Sequence, residues 1–244
     1  MSDLKLEVIA FDVESCRIAQ QFGANRIELC DNPADGGTTP SYGTIKAARA
    51  ITIIDLFVMI RPRGGDFLYI DDEFEAMKID IKVCKELGCD GVVVGMLTKE
   101  GNVDVKRMSV LVNLAYPMSV TFHRAFDRSN DPFKAMEDII KTGCERILTS
   151  GQQTTAMEGA AMINELIKKA DERIIIMPGS GIKSTNIFDI AKTTNAMEFH
   201  SSARITIDSK MEFNNPLLES SLKRTILDGE EVHAIRTKLN ELEV

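Results

Sequence analysis

The chain is 244 residues long and carries 29 Lys and Arg against 37 Asp and Glu, a formal net charge of −8. A surface built to take up nucleic-acid phosphates ordinarily shows a basic excess, so this balance argues against nucleic acid as the main partner. With 44% hydrophobic and 27% charged residues the composition is that of a folded globular protein, and no apolar run approaches the about 18 residues that a membrane span needs.

The first residues, MSDLKLEVIAFDVES, lack the long apolar stretch and small-residue cleavage site of a secretory signal, so a cytoplasmic protein is expected. Cys16, Cys30, Cys84, Cys89 and Cys144 form no C-x-x-C pair, which suits free thiols in a reducing compartment better than a disulfide framework or a zinc site. His123, His200 and His233 show no local metal-ligand spacing.

In chain order, short apolar runs rich in β-branched residues predict strands over Leu4–Ile9, Arg26–Cys30, Leu56–Ile60, Gly91–Gly95, Ser119–His123, Arg146–Thr149, Arg173–Met177 and Ala196–His200. Helical patterns lie between them. Apolar residues at Phe74, Met77, Ile81 and Cys84 give one of these helices a single buried stripe. Asp131-Pro132 and Thr155-x-x-Glu158 read as helix starts. Four segments share one plan of helix, turn residue and strand: QFGANRIEL from Gln21, ELGCDGVVV from Glu86, KTGCERILT from Lys141 and KTTNAMEFH from Lys192. The Gly, or Asn195 in the fourth copy, suits a left-handed residue just past a helix end. A repeat at every second unit of eight alternating strands and helices predicts an α/β fold, a (β/α)8 barrel forming a single domain over residues 1–244. Residues 205–228 lack periodicity and are expected to form an irregular excursion before a last helix over about 230–243.

Active sites of such barrels lie at the C-terminal ends of the strands, and alternation sorts which side chains face inward there. Glu7, Glu28, Cys30, Thr121, His123, Glu198 and His200 are expected inside. Ionised groups inside a barrel are costly unless paired. The three carboxylates with Arg61, Arg63 and Arg124 therefore form either a self-satisfied network or a binding site. In the second case Glu28 or Glu7 serves as base, His123 delivers a proton, Arg61 holds an oxyanion and His200 completes the catalytic group. Proton abstraction next to a carbonyl, or isomerisation, is the reaction class this suggests. Arg63-Gly64-Gly65, Gly179-Ser180-Gly181 and Ser201-Ser202 line the same rim as an expected site for a phosphate-like anion.

The strings RIELCDNPADGGTTPSYG, VMIRPRGGDFLY, VTFHRAFD, RILTSGQ, MPGSGI and EFHSSAR resemble the CutC copper homeostasis family over nearly the whole chain. The resemblance implies a cytoplasmic TIM barrel, a homo-oligomer, and a role in copper homeostasis with a bound copper ion. The family's copper ligands are taken to be cysteines. Cys30, in ELC, matches one and is the expected metal ligand. Ile9 stands where the other would be, and Ser201 stands where some members have a further cysteine. A lone Cys30 needs Met59, Met96, His200 or a second subunit's thiol to complete a copper site. Two functions remain open: a copper-binding homeostasis protein, and an enzyme or binder for a small phosphorylated or sugar-like anion. A barrel acting only through a partner protein is a third.

Overall fold

The computed structural model describes residues 4–218 and 222–242. Residues 219–221 of the expected excursion and Glu243 of the expected last helix lie outside the described residues. Strand β1 (Lys5–Ala10) leads to helix α1 (Val13–Gln21), β2 (Arg26–Leu29) to α2 (Tyr42–Ile51), β3 (Asp55–Met59) to α3 (Asp71–Glu86) and β4 (Gly91–Val94) to α4 (Val105–Ala115). The second half continues with β5 (Ser119–Phe122), α5 (Pro132–Thr142), β6 (Arg146–Thr149), α6 (Ala160–Ala170), β7 (Ile175–Pro178), α7 (Ile187–Thr194) and β8 (Glu198–Ser201). All the ladders among these strands are parallel, in the order β7-β6-β5-β4-β3-β2-β1-β8. This is the expected (β/α)8 barrel, with β7 and β8 side by side at its seam. Among the described residues no helix is long and apolar enough to cross a membrane.

The turn repeat has its physical basis in the backbone. Gly23, Gly88, Gly143 and Asn195, the equivalent position in each copy, all have positive φ, between 58° and 96°. Asp131 caps α5 by accepting from the amides of Phe133 and Lys134. Thr155 and Glu158 make the reciprocal bonds of a capping box, but these close a separate turn, and α6 starts only at Ala160.

Alternation divides the interior into two layers. Leu6, Val8, Ile27, Leu29, Leu56 and Val58 pack outward against the helices, whereas Ile9, Cys30, Phe57, Met59 and Val93 form a separate cluster inside the barrel. Met77, Ile81 and Cys84 are the buried stripe of α3. Register sets the site: Glu7 is level with Arg26 on one side and His200 on the other, and Ile9 is level with Glu28.

The segment over 205–228 departs from the irregular excursion expected. It contains an antiparallel ribbon, β9 (Arg204–Ile207) with β10 (Arg224–Leu227), before α8 (Gly229–Leu242). Only Ile226 and Leu227 of the ribbon are buried, which is why its apolar alternation is faint in the sequence.

Candidate functional site

A chain of ion pairs fills the lower lumen. Arg26 donates to Glu7 Oε2 at 2.5 Å and to Glu198 Oε2 at 2.6 Å, and Arg146 donates to both Glu198 oxygens at 2.6 and 3.2 Å. The two guanidiniums lie 4.8 and 5.6 Å from the Phe57 ring. Glu7 and Glu198 are thus neutralised by arginines of the strands themselves, not by Arg61, Arg63 or Arg124. Sequence reasoning missed Arg26 and Arg146, although Arg26 has the same strand parity as Glu28.

Above this layer a cavity of about 250 Å3 opens at the strand ends, with Ile9, Phe11, Met59, Phe67 and Leu148 on its apolar walls. Glu28, Arg61, His123 and His200 line it too, so four of the expected acid–base residues share one cavity. Glu7 lies beneath, touching the group through His200, whose Nδ1 is 2.7 Å from Glu7 Oε1. Burial resists charge on Glu7, but Arg26 and His200 prevail and hold its pKa down at about 2. That ionised partner places a proton on His200 Nδ1. Burial also resists charge on His200, yet Glu28 and Glu7 raise its pKa above the ordinary imidazole value.

Glu28 ends the chain of charges, and its side chain is buried. Its Oε2 is 3.8 Å from His200 Nε2 and accepts a long bond of 3.7 Å from the Cys30 thiol, while Oε1 has no partner. Burial pushes its pKa up to about 7, against the pull of His200.

The end of β5 delivers His123. Gly95 leaves room for it, since a Cβ there would come within 2.5 Å of the ring. His123 Nδ1 accepts the Ala125 amide at 3.1 Å, so the neutral ring carries its proton on Nε2, which has no partner. Burial and then Arg61 lower its pKa to about 3. His123 therefore offers a hydrogen bond at neutral pH rather than the proton of an imidazolium, which changes the role expected of it.

Arg61 is only 6% exposed and pairs with no carboxylate among the described residues. It donates to the carbonyls of Asp35 (2.7 Å), Gly37 (2.8 Å) and Gly65 (2.9 Å) and lies 5.0 Å from the Phe67 ring, with Nε unpartnered. Its charge is left for the cavity.

The expected anion-binding residues divide. Ser180, Gly181 and Ser202 line the cavity, joined by Arg124 and Arg204. The amides of Ser180, Gly181 and Ser202 have no protein acceptor among the described residues. Ser180 holds a φ of +81°, costly for a residue with a Cβ by about 1–3 kcal/mol. Gly179 instead donates its amide to Thr149. Ser201 faces outward and donates to the Ile182 carbonyl, as its parity opposite to His200 requires. Arg63 pairs with Glu73 and Asp66, and Gly64 and Gly65 shape the loop around Arg61 rather than the cavity wall.

Glu7, Glu28 and His200 present donor atoms within 4.8 Å of one another. Glu7 is already engaged by Arg26 and His200, so the trio forms part of an ion-pair chain rather than a cation cage. For Cu(I) the soft donors are Cys30 and Met59, which pack together, while Met96 lies in the outer layer and Ile9 offers only carbon. Burial, followed by Glu28, raises the Cys30 pKa well above its ordinary value, keeping it a thiol. One protonated thiol and one thioether do not fit a Cu(I) centre.

The CutC family model matches residues 4–205. The chain belongs to the CutC family. A CutC family protein of Parabacteroides distasonis is 54% identical over 211 residues, covering 86% of this chain and 87% of that protein. The human copper homeostasis protein cutC homolog is 48% identical over 210 residues, 86% of this chain and 77% of that one. A solved CutC structure from Streptococcus agalactiae superposes with a TM-score of 0.78 at 34% identity, covering 82% of this chain and 98% of that one. The CutC match takes in every cavity-lining residue named above and ends one residue past Arg204; β10 and α8 lie beyond it.

Proposed function

We propose that this CutC-family barrel binds a small anionic metabolite, phosphorylated or sugar-like, at its mouth and acts on it with Glu28 as acid–base group. One observation carries the reading. Of the buried side-chain polar atoms without a partner among the described residues, Glu28 Oε1, Arg61 Nε and His123 Nε2 belong to residues lining the same cavity. An unpaired buried polar group costs about 1–3 kcal/mol, and three on residues that line one cavity support a ligand there. Arg61 and Arg204 supply positive charge, while Arg124 is paired with Asp127 at 2.8 Å, and the amides at Ser180, Gly181 and Ser202 suit a phosphate-like group between the β7 and β8 loops. We take the protein to work in the cytoplasm as a homo-oligomer, in line with its free cysteines and family. The test is a thermal-shift titration with inorganic phosphate and sugar phosphates. Saturable stabilisation that weakens in Arg204→Ala supports the reading, and no stabilisation by any of them defeats it.

The names of the relatives carry a copper reading, for which Cys30 and Met59 are the soft donors at hand. Anaerobic Cu(I) competition decides this point. Tight binding of one equivalent that disappears in Cys30→Ser would establish a copper site; weak binding indifferent to the substitution is the result that the buried, protonated thiol leads us to expect.

A further inference from the structure

We propose that the compound taken at the mouth is a small enolisable carbonyl compound with one phosphate group, and that Glu28 takes and returns the proton next to its carbonyl. The inference rests on the anion-site reading above and gives that site a reaction.

The argument comes from matching the unpartnered atoms. Two are donors, Arg61 Nε–H and His123 Nε2–H, and one is a carboxylate oxygen, Glu28 Oε1. A ligand completing all three presents an oxygen that accepts two hydrogen bonds and, beside it, a hydrogen that a carboxylate can accept. A carbonyl group and its neighbouring C–H meet both demands. In the step, Glu28 Oε1 forms the new O–H bond, the C–H electron pair becomes the C=C bond, and the carbonyl π pair moves onto oxygen. The enolate oxygen then carries the charge, held by Arg61 and His123. Reversal returns the proton from Glu28 to the carbon it came from, or a deuteron once Glu28 has exchanged with heavy water. A neutral imidazole is suited to this, because it donates a hydrogen bond without surrendering its proton.

Other chemistries lack their groups at this place. Hydrolysis between two carboxylates needs a second free one, but Glu7 and Glu198 are held by arginines. The Cys30 thiol is buried and bonded to Glu28, and the Ser180 hydroxyl donates to Thr154, so neither is poised as a nucleophile. The cavity of about 250 Å3 lies just below the roughly 300–1,000 Å3 of ordinary ligand pockets, which suits a small ligand such as a short sugar phosphate.

The experiment follows exchange of the proton next to the carbonyl in heavy water by NMR, with dihydroxyacetone phosphate and ribulose phosphate as probes. Calorimetry with glycerol phosphate, which has no carbonyl, measures anion binding separately. The expected result is enzyme-dependent exchange, reduced about 100-fold or more in Glu28→Gln and in His123→Gln, with glycerol phosphate bound by the wild-type protein and both variants unfolding cooperatively in urea. Binding of glycerol phosphate without exchange of either carbonyl probe, or exchange that survives Glu28→Gln, overturns the inference and leaves the anion site standing. Failure of every probe to bind the wild-type protein overturns the anion site and this inference together.

Discussion

His200 Nδ1 stands 2.7 Å from Glu7 Oε1, and the other oxygen of the same carboxylate is held by Arg26 at 2.5 Å. Glu7 is therefore a hinge of charge between the sealed base of the barrel and its mouth. It keeps one imidazole nitrogen protonated and leaves the other facing Glu28. Positive and negative groups alternate from Arg26 through Glu7 and His200 to Glu28, and only the last has an oxygen to spare.

That spare oxygen has a stability signature. Glu28 sits at about 7 against an ordinary 4.5, so the folded chain keeps a proton that the unfolded chain gives up. The stabilisation is full below pH 4.5 and is lost as pH rises to about 7. Glu28→Gln, which cannot ionise, is expected to be more stable than wild type by about 1–3 kcal/mol at alkaline pH. The difference should shrink steadily as the pH is lowered toward 4.5. Urea unfolding across this range checks it, and a variant less stable than wild type throughout would contradict it.

Glu7 has the opposite sign. Its pKa of about 2 lies below the ordinary 4.5, so its stabilisation is present above pH 4.5 and is lost as pH falls toward 2. Replacing its partner should be severe: Arg26→Met strands carboxylates from two strands and is expected to cost about 3–5 kcal/mol in urea unfolding at neutral pH. A loss below about 1 kcal/mol would show that the pairs are screened by water.

The two cavity histidines should be distinguishable by nitrogen-detected NMR. His123 is expected to stay neutral with its proton on Nε2 down to about pH 4, given its pKa of about 3. His200 should remain charged above the ordinary imidazole range, with Nδ1 protonated throughout. Ordinary titration of both rings would remove the two-donor arrangement with Arg61.

All five cysteines are buried. A disulfide reagent at neutral pH is expected to modify none of them rapidly in the native protein and all five after unfolding. Rapid modification of one native thiol, assigned to Cys30 by its absence in Cys30→Ser, would reopen the thiolate copper reading.

The barrel was legible because helix ends repeat and because alternation marks inward residues, and in the structure Glu28, His123 and His200 line one cavity. The same parity rule, applied to its limit, would also have placed Arg26 inside and Ser201 outside. Other features depend on contacts between distant segments. Arg61 is held by carbonyls of the loops at Asp35, Gly37 and Gly65 rather than by a carboxylate, and those carry no side-chain signature. The tautomer of His123 is set by a single amide, that of Ala125. The ribbon of β9 and β10 was missed because most of its residues face solvent, which leaves little apolar pattern to read.

The seam between β7 and β8 gives the barrel a clasp. The other neighbouring strands are zipped by ladders, but these two end the hydrogen-bonded order. The Ser180–Gly181 amides stand on one bank of that gap and the Ser202 amide on the other. An anion gripped by both banks would lace the cylinder shut, so that occupancy of the mouth and rigidity of the whole ring rise and fall together.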